Sequence, residues 1–87
     1  MEILDNQIKD FGFLFMDRLD NQVLQDAINY VDYNERGLAF ETICDHISGF
    51  NVSITPDEYN KAIALCGLLH RDKNDISIKY MKELIKF

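Results

Sequence analysis

Between Asp32 and Ile47 the apolar residues keep a helical period, and that period limits what the chain can build. At about 100° per residue, Ala39, Phe40, Ile43, Cys44 and Ile47 share one arc, the spacing of a buried helix face. Glu35, Glu41, Thr42 and Asp45 share the opposite arc, with Leu38 in the middle of them. An apolar side chain ringed by carboxylates cannot serve the core that the other face serves. It is either a lone exposed leucine, which is common, or part of a surface made to meet something.

The same period recurs along the rest of the chain. Leu4, Ile8, Phe11, Phe15 and Leu19, flanked by Ile3 and Leu14, predict a first helix over 3–19. Gly12 is its soft spot, worth up to ~1 kcal/mol against alanine in a helix interior. Phe13 falls on the far side, beside Asp17 and Asp20, where a second packing surface is the expected use. Asp20 and Asn21 offer an N-cap for a second helix over about 21–33, with Val23, Leu24, Ala27, Ile28 and Val31 as its stripe. Tyr33 lies opposite that stripe and Tyr30 at its edge. Gly49 is the expected left-handed end of the third helix. Val52 and Ile54 belong to an extended connector.

Thr55-Pro56-Asp57-Glu58 is the strongest local signal, an N-cap followed by proline at the first helical position and a glutamate that closes a capping box. The helix it starts runs to about Leu69. Its broad apolar arc (Tyr59, Ala62, Ile63, Leu65, Cys66, Leu69, with Leu68 outside it) predicts a central position. Asp75 is placed to cap a last helix over about 76–86, with Ile78, Met81, Leu84 and Ile85 inward and Lys79, Lys82 and Lys86 outward. One proline and four glycines are too few for the tight turns of an all-β protein. The expected fold is therefore all-α, a compact bundle of four to five short helices forming one domain over residues 1–87.

Charge is unevenly spread. Residues 1–58 hold twelve acids and three bases, and residues 59–87 three acids and six bases, giving a net charge of −6. Phosphate repels such a surface, so free nucleic acid is a poor partner. A basic protein is a good one, because charge of this size speeds encounter and discriminates among partners. No apolar run approaches the ~18 residues of a membrane span, and Met-Glu-Ile-Leu-Asp-Asn lacks the regions of a signal peptide. Cytoplasmic residence is the expectation.

Little in the sequence points to catalysis. Cys44 and Cys66 form no Cys-x-x-Cys pair and sit on apolar faces, which predicts buried thiols. His46 and His70 have no second ligand at helical spacing. The contiguous Cys44, Asp45 and His46 point about 100° apart on a helix and cannot act as a triad. The acids lie on outward faces, where they are solvated. No glycine-rich phosphate loop or nucleophile motif is present. No metal and no cofactor is expected, and no enzyme.

The segment Asn34-Glu35-Arg36-Gly37-Leu38-Ala39-Phe40-Glu41-Thr42-Ile43-Cys44-Asp45 resembles the Asn-Glu-x-Gly-x-Ala-x-Glu-x-x-Cys-Asp pattern of MafI-type immunity proteins. Ile54-Thr55 and Tyr59 resemble the start of that family's next helix, with Thr55 in place of serine. The resemblance covers roughly residues 23–69. After Ile47, Ser-Gly-Phe-Asn stands where the family has an acidic, aromatic turn. The resemblance implies a small helical protein that neutralises the toxin domain of a secreted or contact-dependent inhibition system, often a nuclease such as a tRNase.

Charge pattern and resemblance lead to one expectation: an acidic face that covers a basic toxin, with carboxylates where the substrate's phosphates would sit. The expected partner-binding residues are Tyr30, Asp32, Tyr33, Glu35, Leu38, Glu41, Thr42 and Asp45, with Phe13 a further candidate anchor. The competing reading is a helical adaptor that binds some other protein, and a toxin gene immediately upstream would separate the two. A nucleic-acid mimic fits less well, because lysines line the last helix. Oligomeric state stays open, since Phe13, Met16 and Leu68 suit a contact between copies.

Overall fold

A computed structural model describes residues 2–71 and 76–86. Asp75, the expected cap of the last helix, lies outside them, as do residues 72–74. The described chain is all-α: α1 (Glu2–Phe13), α2 (Asn21–Asn29), a short 3-10 helix η1 (Tyr30–Tyr33), α3 (Arg36–Gly49), α4 (Pro56–Leu68) and α5 (Ile76–Glu83). Its radius of gyration is 11.7 Å, near the ~12 Å of a compact chain this long.

The first helix ends at Phe13, short of the Leu19 that periodicity predicts. Beyond it the chain continues in tight turns, with Leu14, Phe15 and Met16 amides donating to the carbonyls of Phe11, Gly12 and Phe13. Those turns keep steps of three and four, so Phe15 and Leu19 still reach the core and the sequence reads as unbroken helix. Arg18 supports the turn by donating to the Leu14 carbonyl at 2.8 Å. Phe13, expected to pack, is exposed, as are Leu14 and Met16.

Asp20 caps α2 by accepting from the Val23 amide at 3.0 Å. The predicted capping box is formed in full: Thr55 Oγ1 accepts from the Glu58 amide, and Glu58 accepts from the Thr55 amide. The expected glycine cap of α3 is not. Gly49 is the last helical residue, and the left-handed turn falls on Asn51 (φ 52°), after which the Val52 amide returns to the Ile47 carbonyl. Asparagine tolerates that conformation better than most residues. Val52 and Ile54 form the expected connector. Ile54 then pairs in parallel with Ile85, donating to the Leu84 carbonyl and accepting from the Lys86 amide.

The hub of the bundle is α3, where α4 was expected. α3 packs on α1, α2, η1 and α5, whereas α4 packs on α1 and α5. Ala39, Phe40, Ile43, Cys44 and Ile47 are all buried, as their shared arc requires. On α4 the outer residues Lys61, Ala64, Gly67 and Leu68 are exposed, which leaves it at the edge. Phe11 links the two sides of the core, its ring 5.2 Å from Phe15 edge-on and 5.8 Å from Phe40. α1 comes close to the other helices at Gly12, where a Cβ would lie 2.8 Å from Ile28 Cγ1 and 3.1 Å from Ile43 Cδ1.

Candidate functional site

The burial that makes α3 the hub also fixes what it turns outward. With one arc committed to the core, the residues at 38, 41, 42 and 45, spaced i, i+3, i+4 and i+7, must share the other. Leu38 is 40% exposed, Glu41 and Asp45 are exposed, and Thr42 is half-buried. The turn feeding α3 supplies the rest. The Glu35 amide donates to the Tyr30 carbonyl at 3.0 Å, and Asn34, left-handed at φ 60°, swings the chain from η1 into α3. Asp32, Tyr33 and Glu35 are thereby held in solvent, Tyr33 with 73% and Tyr30 with 37% of its surface open. Each of the eight expected contact residues is thus wholly or partly accessible.

Their charges are less free than the sequence suggests. Asp32 receives Lys9 Nζ of α1 at 2.8 Å. Glu41 receives Arg71 Nη2 at 2.7 Å, and the same nitrogen donates to the Gly37 carbonyl at 3.0 Å. Asp45 accepts from the Ser77 hydroxyl of α5. Glu35, at the N-cap of α3, makes no side-chain capping bond, and no ion pair reaches it among the described residues. Of the four carboxylates on this surface, two are neutralised from within by bases 23 and 30 residues away in sequence. No local pattern announces Lys9 or Arg71 as part of the face; only folding brings them there.

Beside Glu41 and Asp45 lies a cleft of about 320 Å³, bordered by Cys44, Cys66, Leu69, His70, Arg71 and Ser77. Both cysteines are buried, as expected, and Cys66 Sγ donates to the Arg71 carbonyl at 3.4 Å. Among the described residues no group of histidine, cysteine and carboxylate side chains is arranged to hold a metal ion. No helix among them is long and apolar enough to cross a membrane.

A bidentate ion pair lies elsewhere. Arg18 grips Glu58 with its two terminal guanidinium nitrogens, Nη1 at 2.8 and Nη2 at 2.6 Å, donates to the Ser53 carbonyl at 3.0 Å, and lies over the Phe15 ring. The Arg18 hydrogen bonds hold the Glu58 carboxyl below its ordinary value of 4.5, against the opposing effect of burial and with help from the Thr55 amide. The same contact with Glu58 raises the Arg18 guanidinium. This clamp ties the turn after α1 to the start of α4, and it is structural.

Comparison with known proteins adds no relative: the chain matches no family model, no curated protein and no solved structure.

Proposed function

We propose that this protein is an immunity-type inhibitor, which binds a basic toxin domain of nuclease type and silences it by covering its surface. It performs no chemistry of its own and works in the cytoplasm. The observation that carries the reading is the exposure of Leu38 and Tyr33. Apolar and aromatic groups stand open on an acidic face, while the other apolar residues of α3 are buried. Such groups supply lasting affinity when a partner desolvates them, and surrounding charge speeds the encounter. Glu35 and Asp45 are the carboxylates best placed to meet a partner's cations, since lysine and arginine of this chain already occupy Asp32 and Glu41.

The resemblance of Asn34–Asp45 to MafI-type immunity proteins supports the same reading and names the class of partner. Co-expression with the product of the neighbouring upstream gene tests it. The expected result is a stable complex and rescue of growth, both lost in Leu38→Asp. A complex that forms equally well with Leu38→Asp and Tyr33→Ala would remove this face from the interface. Absence of a toxin gene, together with capture of a non-toxic protein, would favour the adaptor reading.

A further inference from the structure

A second surface, remote in sequence from the α3 face, carries an independent assignment. Between α1 and α4 runs a groove of about 330 Å³, walled by Gln7, Asp10, Phe11 and Leu14 on one side and Lys61, Ala64, Leu65 and Leu68 on the other. Leu68 is 54% exposed and Leu14 36%. Ala64, at the spacing between Lys61 and Leu68, leaves the α4 wall low enough for another helix to approach closely.

The groove carries one acid and one base beside its leucines. Of the five bases in residues 2–71, Lys9, Arg18, Arg36 and Arg71 are each ion-paired within the chain, to Asp32, Glu58, Asp5 and Glu41. Lys61, like Lys79, Lys82 and Lys86 farther along the chain, is paired to none of the described carboxylates. Asp10, on the facing wall, likewise has no basic partner among the described residues, although both line the same groove. An acid and a base that flank one apolar groove make a patch that is complementary to itself under a two-fold axis. In an isologous pair, Lys61 of each copy faces Asp10 of the other, and the leucines close between them.

We propose that the α1–α4 groove is the contact through which two copies of this chain associate. Copies carrying −6 repel one another across most of their surfaces. This groove presents one charge of each sign beside exposed leucines, so like molecules can approach here without net repulsion. The α3 face stays outside this contact, so a dimer would present two such faces to partners.

Sedimentation velocity of the full chain, from about 1 µM to about 1 mM, tests the assignment over the span of weak to moderate affinities. The expected result is a weight-average mass that rises with concentration from 10.2 kDa towards twice that value. D10K alone or K61D alone sets like charges opposite each other at both ends of the axis, and weakens association about tenfold or more. The double swap D10K/K61D restores it, which a purely structural role for either residue would not do. Leu68→Glu abolishes association with an unchanged helical circular dichroism spectrum. A chain that stays at 10.2 kDa throughout, or a double swap no better than the singles, overturns the proposal. So does a groove that becomes protected only when a foreign protein binds. None of these measurements needs a toxin, so they stand or fall apart from the immunity reading.

Discussion

Arg18 and Glu58 show what one pair of side chains does for the whole bundle. The carboxylate is buried and accepts from both terminal guanidinium nitrogens and from the Thr55 amide, so its removal strips one end of a clamp and half of a capping box. Glu58→Ala should cost about 3 kcal/mol in urea unfolding, the scale of a charged hydrogen-bonded pair lost from a buried position. The pH dependence has a definite sign. Glu58 is held below 4.5 in the folded protein, so its stabilising contribution is present above that value and fades as pH falls through the lower, folded one. Acid unfolding followed by circular dichroism should therefore lose part of its pH dependence in Glu58→Gln. The capping box was legible in four consecutive residues, because a cap is made by neighbours in sequence. Arg18 was not legible as a partner, because 40 residues separate it from Glu58.

At the scale of elements, Gly12 changes meaning between sequence and structure. By propensity alone, Gly12→Ala should stabilise α1 by up to ~1 kcal/mol. The packing reverses the sign: the added methyl would meet Ile28 Cγ1 at 2.8 Å, at the joint of α1, α2 and α3. Overpacking of a well-filled core costs about 1–3 kcal/mol, so the melting temperature of Gly12→Ala should fall. The hub position of α3 gives a second expectation. Phe40→Ala, which empties the contact with Phe11, should destabilise by about 3–5 kcal/mol, whereas Tyr33→Ala on the open turn should leave unfolding within about 0.5 kcal/mol of wild type. That contrast makes Tyr33→Ala a clean probe of binding. Any loss of affinity for a binding partner that it causes cannot be assigned to unfolding. Helix existence was readable from the three-and-four step, which burial on one face imposes. The end of α1 was not, since tight turns after Phe13 preserve that step, and nor was the choice of α3 over α4 as hub.

Over the whole molecule, charge is the property that reaches furthest from the surface. Association with a basic partner should slow as salt rises from low to physiological strength, because screening shortens the reach of the field to about 8 Å. Stopped-flow association rates at several ionic strengths check this. Reversing Glu35 should reduce the salt dependence without loss of stability. Reversing Glu41 should do so only together with loss of the Arg71 contacts to Glu41 and the Gly37 carbonyl. The sequence by itself determined the all-α class, the buried arc of α3, two helix caps and the exposure of Leu38 and Tyr33, all of which follow from periods and neighbours within one segment. Tertiary structure alone decided which carboxylates of the face are already neutralised, why Gly12 must be glycine, and that Asp10 and Lys61 flank one groove. Those facts join residues 16 to 51 positions apart, and no local rule of propensity or spacing spans that distance.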